Sequence, residues 1–196
     1  RQRQMCIETA LNSTPAVINI SGDETWSLKG IPNAYMQMEP ASKSYMFYVT
    51  GTLTLEDIVI DGNCYYNLNT NVNLFRVDKE KDEEKEDEEL RRGILNLRSG
   101  AVLQNTADEA IYCYGGTVNM YEGAVIRNAL KDGGIYATGS LLANGTDNTP
   151  TVNIYGGEIT GCYRALNILG DCKLNIYDGV FHHNGLLLYT SDAADE

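Results

Sequence analysis

A seven-residue phrase recurs along the chain and restricts the folds that the chain can adopt. The phrase occupies residues 117–123 (TVNMYEG), 151–157 (TVNIYGG) and 173–179 (KLNIYDG), with looser copies at 94–100 and 52–57. Each copy alternates apolar and polar residues and ends at a glycine or an acidic residue, which is typical of a short half-buried strand followed by a turn. The recurrence therefore predicts a repeat protein built from short strands.

Each cycle of the repeat predicts three strands: an apolar pair before the phrase, the phrase itself, and an apolar segment after it. The first pairs in successive cycles are Phe47 and Val49, Phe75 and Val77, Ile111 and Cys113, Ile135 and Ala137, and Leu166 and Ile168. With insertions removed, the period is about 22 to 23 residues. The frame of a leucine-rich repeat is missing from the sequence. Three strands per cycle with glycine turns instead favour a parallel β-helix, whose coils stack about 4.8 Å apart.

The repeated segments resemble a known superfamily. Residues 51–58 (GTLTLEDI) and the Val-Asn-Ile-Tyr-x-Gly phrases resemble the right-handed parallel β-helix (pectate-lyase-like) superfamily, and within it the adhesin-like surface proteins of bacteria. The resemblance covers about residues 16–185. It implies an all-β single-stranded solenoid in a protein that is secreted or held at the cell surface.

Both ends of the chain lie outside this pattern. Residues 5–12 carry apolar residues at helical spacing before an Asn-Ser-Thr-Pro stop, so we expect residues 1–15 to form a cap with a short helix over the β-helix of residues 16–185. Residues 187–196 (LLYTSDAADE) resemble the translated read-through of a sequencing adapter, as in a metagenomic fragment. We therefore expect residues 186–196 to be an artefactual tail and the natural protein to continue past Gly185.

Two insertions interrupt the repeat. Residues 78–92 are almost entirely charged and cannot enter a core, and residues 139–150 are rich in Gly, Asn and Thr. We expect both to loop out at the same corner of the coil, one cycle apart.

Composition excludes several classes of function. A formal net charge of -12 and a pI near 4.5 argue against binding to nucleic acid or to an anionic membrane. The sequence contains no apolar run long enough for a membrane span. The five cysteines lack CxxC spacing, so no metal site is predicted. They are expected to be small buried apolar residues, with Cys162 and Cys172 as the one plausible disulfide.

Alternation predicts an exposed polar face along the repeated phrase. Where Val118 and Met120 point inward, the neighbouring positions point outward and stack from coil to coil. This gives a column of Asn96, Asn119, Asn153 and Asn175 beside a column of Arg98, Tyr121, Tyr155 and Tyr177. The columns could bind glycans, because aromatic rings stack on sugars, or they could only stabilise the stack by pairing with one another.

Charged residues from one turn in three successive coils are the nearest approach to a catalytic set. They are Asp108, Glu109, Lys131, Asp132 and Arg164. They do not match the motifs of pectate lyases or polygalacturonases, so no catalytic residue is assigned. Ca²⁺ is expected only if the protein is a lyase, and no other cofactor is predicted. The pair His182-His183 falls on the final coil before the expected tail, where one or both side chains are expected to project into solvent or toward a further coil.

Two classes of function remain open. One is a non-catalytic secreted or cell-surface scaffold that binds glycans or a host or cell-surface protein. The other is the N-terminal part of a polysaccharide lyase or glycoside hydrolase. The near-identical phrases favour the scaffold, because enzymes on this fold gather irregular loops over one cleft.

Overall fold

The computed structural model describes residues 18–20, 25–37, 45–67, 73–81, 90–139 and 148–191. The predicted N-terminal helix at residues 5–12 lies outside these ranges. The described residues form strands and one single-turn helix, α1 (Cys64–Asn67). Across these ranges, no helix has the length and apolar character needed to cross a membrane.

The strands form two sheets. The first contains β1 (Ile18–Ile20), β3 (Tyr45–Val49), β5 (Asn73–Lys81), β9 (Ile111–Tyr114), β12 (Ile135–Gly139), β15 (Arg164–Gly170) and β18 (Leu186–Ser191). The second contains β2 (Thr25–Gln37), β4 (Thr52–Asp61), β7 (Ile94–Leu97), β8 (Val102–Thr106), β10 (Thr117–Met120), β11 (Val125–Ala129), β13 (Thr151–Ile154), β14 (Glu158–Thr160), β16 (Lys173–Ile176) and β17 (Val180–His182). The short strand β6 (Leu90–Arg92) pairs with β5 alone.

Parallel pairing joins each coil to the next, as the repeat predicts. Strand β9 pairs with β12, β10 pairs with β13, and β11 pairs with β14, so one coil lies on the next through three strands. Strand β4 serves two of these positions at once, because its first half pairs with β7 and its second half with β8. The predicted all-β repeat is confirmed, and the arrangement fits a β-helix-like solenoid.

The difference between β4 and later coils comes from the turn after the repeated phrase. Gly100 and Gly123 have φ of 75° and 79°, a region that favours glycine, and they separate two short strands. In β4 the chain is one residue shorter between the paired segments, and Asp57 takes the positive φ of 53° instead. The strand therefore bends without a break.

The core lies inside the coils and follows the predicted alternation. Val118 and Met120 have no exposed surface, and Ile154 pairs in register with Met120 on one side and Ile176 on the other. Each such side chain stabilises the fold by about 1.5–3 kcal/mol relative to an exposed position. The same inward position is solvent-exposed in the last coil, where Ile176 is 48% exposed.

The described ends of the acidic insertion of residues 78–92 pair as a short hairpin. Strand β5 continues to Lys81 and pairs with β6 in antiparallel register, with Lys79 opposite Arg92. Arg92 Nη1 donates to the backbone oxygens of Gly115, at 2.9 Å, and Thr149, at 2.7 Å. Thr149 belongs to the second insertion, so this bond joins the described ends of the two insertions.

The structure does not contain the disulfide that the sequence allowed between Cys162 and Cys172. Both are free thiols, as are Cys64 and Cys113. The Cys162 thiol lies 3.5 Å from the Thr160 oxygen, and the Cys172 thiol lies 3.1 Å from the Leu169 oxygen. Each thiol therefore contacts backbone near its own strand.

The first sheet extends into the segment that the sequence assigns to a tail at residues 186–196. Strand β18 pairs in parallel register with β15, with Leu188 opposite Leu166 and Tyr189 opposite Asn167. Residues 186–191 thus occupy the next position of the first sheet, with Leu186 and Leu188 exposed at its edge.

Candidate functional site

An asparagine ladder runs along the outer face of the second sheet. Asn119 Nδ2 donates to Asn96 Oδ1 at 2.9 Å, Asn153 donates to Asn119 at 2.8 Å, and Asn175 donates to Asn153 at 2.8 Å. Asn96 donates in turn to Thr54 Oγ1 at 3.2 Å. The structure therefore places the predicted asparagine column together and links its members by their side-chain amides.

A tyrosine ladder lies two residues further along the chain, directly after the ends of β10, β13 and β16. The rings of Tyr121 and Tyr155 are 5.1 Å apart at an interplanar angle of 16°, and those of Tyr155 and Tyr177 are 4.9 Å apart at 4°. The guanidinium of Arg98 covers the other face of Tyr121 at 3.8 Å. The predicted column is present, and it is closed at one end by a cation–π contact.

Stacking decides which parts of these rings a ligand can reach. The faces of Tyr155 lie against Tyr121 and Tyr177, so its edge is the part that meets solvent. Exposure rises along the column, from half-buried Tyr121 to 42% for Tyr155 and 67% for Tyr177. The ladder therefore presents ring edges and hydroxyl groups, with one outer ring face at Tyr177.

An open depression adjoins both ladders at the end where Thr54 and Arg98 lie. It is lined by Thr54, Glu56, Arg98, Ser99, Tyr121, Glu122 and Tyr155. Its walls combine an aromatic edge with carboxylates, hydroxyls and a guanidinium, a donor and acceptor set that suits the hydroxyl groups of a polar ligand.

The charged residues that the sequence singled out also converge. One carboxylate oxygen from each of Asp108, Glu109 and Asp132 lies within 4.8 Å of the others. Lys131 Nζ is 3.8 Å from Asp108 Oδ2, and Arg164 Nη1 is 3.1 Å from Asp132 Oδ1. The residues come from the turns before β9 and β12 and from the start of β15, which stack because these strands pair in register. We call these five residues the carboxylate cluster.

Burial changes the protonation of this cluster. Asp108 and Glu109 are 4% and 5% exposed. Burial, followed by a hydrogen bond to Asp108 and the charge of Asp108, raises the pKa of Glu109 from 4.5 to about 9. Glu109 is therefore a neutral acid at pH 7 and can donate to Asp108, whose Oδ1 otherwise has no hydrogen-bond partner. A neutral carboxylic acid beside a carboxylate is an arrangement capable of proton transfer.

A second aromatic row, on the first sheet, is missing from the sequence-based prediction. Tyr48, Arg76, Tyr112 and Tyr136 are successive partners across four strands. The rings of Tyr112 and Tyr136 are 5.3 Å apart, and Arg76 lies 5.9 Å from Tyr48 and 5.5 Å from Tyr112. Burial first, and then the charges of Glu109 and Asp132, raise the pKa of Tyr136, so this row adjoins the carboxylate cluster.

Arg76 ties this row to the base of the acidic insertion. Its Nε and Nη2 donate to Asp78 Oδ2 at 3.0 and 2.8 Å, and Asp78 is only 6% exposed. A sequence signal existed, since each residue of the row lies between the two members of a predicted apolar pair. It is weak because the four residues share no repeated phrase.

Comparison with protein families, with curated proteins and with solved structures found no match to this chain.

Proposed function

We propose that this protein is a non-catalytic, adhesin-like scaffold on a right-handed parallel β-helix, secreted or held at the cell surface, which binds glycans along the asparagine and tyrosine ladders. The stacked parallel coils support the finer fold assignment. The observation that carries the function is the stacked row of Tyr121, Tyr155 and Tyr177, increasingly exposed along the column, beside a row of asparagine amides.

The geometry favours a particular mode of binding. Because the inner ring faces are occupied, a glycan chain would lie across ring edges and hydroxyls and would use the free face of Tyr177 at one end. Contacts repeated on successive coils let several weak interactions act together. The net charge of -12 favours neutral or basic glycans over anionic polymers.

The test is a glycan array probed with the recombinant chain and two triple variants at positions 121, 155 and 177. The Tyr→Phe variant keeps the stacked rings and removes the hydroxyls, whereas the Tyr→Ala variant removes both. We expect the Phe variant to bind more weakly and the Ala variant not to bind. A Tyr112→Phe, Tyr136→Phe variant of the other sheet is the matched control and should bind like the wild type.

Circular dichroism must first show that every variant is folded. Glycan binding that survives the Tyr→Ala substitutions, or no binding by any form of the chain, would leave the tyrosine ladder with a structural role alone.

A second function is favoured by one observation, the convergence of the carboxylate cluster. In this alternative the chain is part of a polysaccharide lyase or glycoside hydrolase, with Glu109 as proton donor, Asp108 and Asp132 as carboxylates, and Lys131 and Arg164 as cations. Under the lyase alternative, Ca²⁺ would bind the carboxylate oxygens of the cluster. Because Asp108 and Glu109 are almost fully buried, substrate access would require the turn to open.

The enzyme alternative is tested by incubating neutral and acidic polysaccharides with the wild type and with Glu109→Gln. Release of reducing ends or of unsaturated products by the wild type, lost in the variant, would support it. Equal release by both proteins would assign the activity elsewhere, and no release by either would favour the scaffold.

A further inference from the structure

Two adjacent histidines on the last coil bring their side chains together. His182 ends β17 and pairs in register with Thr160, and His183 follows with φ of 54°. Neighbouring residues of a regular strand point to opposite faces, but a left-handed residue breaks that alternation. The two imidazole rings therefore meet on one side, with their centroids 4.7 Å apart and their planes at 75°.

The left-handed conformation of His183 is set by its position in the coil and not by its being a histidine. The same position in earlier coils is filled by Asn105, Asn128 and Gly161, with φ of 55°, 56° and 65°. Asn and Gly are the residues that tolerate this region best. Histidine also occurs at positive φ more often than most residues, so this position accepts it without disturbing the turn.

The ring nitrogens of this pair converge. His182 Nδ1 lies 2.5 Å from His183 Nδ1 and 3.3 Å from Thr160 Oγ1. On the other side of the ring, His182 Nε2 lies 2.9 Å from Glu158 Oε1. A carboxylate can only accept, so Nε2 carries the hydrogen and Nδ1 of the neutral ring keeps its lone pair. The two ring nitrogens thus converge on one point, where they can share a hydrogen bond or a bound cation.

We propose that His182 and His183 bind a divalent late transition-metal ion such as Zn²⁺ through their Nδ1 atoms, with Glu158 orienting His182 from behind. Imidazole is a preferred ligand of such ions, whereas Mg²⁺ and Ca²⁺ prefer oxygen. A carboxylate on the far nitrogen fixes the tautomer of a ligating histidine and raises its basicity. Thr160 Oγ1 and water are the remaining neighbours of the bound ion.

The exposed position of the pair allows the small adjustment that a metal requires. Zn–N bonds of about 2.0–2.1 Å place two ligating nitrogens about 3 Å apart, so the rings would separate by less than about 1 Å. Both histidines are solvent-exposed, with the His182 side chain at 41%, so the rings lie outside the packed core.

The experiment is a Zn²⁺ titration of the full chain, purified without a histidine tag and followed by NMR of the imidazole protons. The chain contains two histidines, so the signals report on this site alone. We expect one equivalent of Zn²⁺ to shift both imidazoles and a large excess of Mg²⁺ or Ca²⁺ to shift neither.

Three variants separate ligand from fold. His183→Asn keeps the left-handed turn and removes one ring, and it should weaken Zn²⁺ affinity at least about tenfold, as should His182→Gln. Glu158→Gln should weaken it about tenfold through loss of the orienting carboxylate. Asp171→Asn removes an exposed carboxylate in a different turn and should leave the Zn²⁺ affinity unchanged.

Zn²⁺ affinity that is equal in the wild type and His183→Asn would overturn the proposal and would point to the carboxylate cluster. An absence of Zn²⁺-dependent shifts in the wild type would overturn it as well, and would leave a proton as the only cation that the two rings share.

Discussion

The ring of Tyr155 lies 4.9 Å from that of Tyr177, with their planes only 4° apart. Tyr155 also stacks on Tyr121, so it takes part in two ring contacts where Tyr177 takes part in one. The aromatic face that makes a tyrosine column attractive as a sugar platform is thus used by the protein itself. The ladder is first a stabilising feature, and any ligand must use the parts that stacking leaves free.

Removal of an inner ring should therefore cost more than removal of the outer one. Tyr155→Ala loses two stacking contacts of about 0.5–1.5 kcal/mol each, whereas Tyr177→Ala loses one. Urea denaturation of both variants gives the free energies of unfolding. If Tyr177→Ala proved the more destabilising, the rings would have no stacking role.

The inward and outward positions of β13 should respond differently to a negative charge. Ile154→Asp buries a charge among aliphatic side chains and should cost several kcal/mol. Asn153→Asp keeps the acceptor for Asn175 but loses the donor to Asn119, at a cost of about 1–2 kcal/mol. Thermal melts of the two variants measure the difference, and equal losses would contradict the assignment of the two faces.

Protonation of Glu109 should make stability depend on pH. Its pKa is about 9 in the folded chain against an ordinary value of 4.5. Between those values the folded chain holds a proton that the unfolded chain releases, so stability falls as pH rises from about 4.5 to about 9.

Glu109→Gln removes this titration while keeping a donor toward Asp108. The variant should therefore be more stable than the wild type at pH 9, by a few kcal/mol at about 1.4 kcal/mol per pKa unit. The two proteins should converge near pH 4.5. Denaturant melts across this range measure the difference, and parallel curves would show that Glu109 is ionised in the folded chain.

The acidic insertion should be removable up to its hairpin base. Replacement of residues 82–89 by Asn-Gly would close β5 onto β6 with a two-residue turn, and the melting temperature should stay within about 2 °C. Asp78→Asn is the contrasting variant, because it weakens the paired bonds from Arg76 at a cost of about 1.5–3 kcal/mol. Calorimetry of both variants shows whether stability depends on the hairpin base, where Asp78 lies, or on residues 82–89.

Much of the repeat could be predicted because it follows from alternation alone. The two-residue period of a strand predicts that Val118 and Met120 point inward and Asn119 outward, and the strand pairing confirms it. The repeated asparagine also predicts a column, since identical residues in identical positions must stack when the coils do. The meeting of Asp108 with Asp132 followed from the same register.

Other features depend on geometry that the alternation and repeat of the sequence do not predict. Alternation places Tyr121 and Tyr155 side by side, but it does not show that the rings lie flat against each other. The pairing of Lys79 with Arg92 joins charged residues that carry no apolar pattern, so the hairpin had no sequence signal. His182 and His183 needed a positive φ before neighbouring side chains could meet.

The asparagine ladder has a consequence for how the chain finds its register. Strands β7, β10, β13 and β16 offer the same amide at the same place, so any of them could accept any other as a neighbour during folding. Pairing that left out one coil, or pairing with a coil of another molecule, would form the same hydrogen bonds between asparagine side chains. Contacts that do not repeat, such as that of Arg92 with Gly115 and Thr149, are therefore the ones that specify which coil pairs with which.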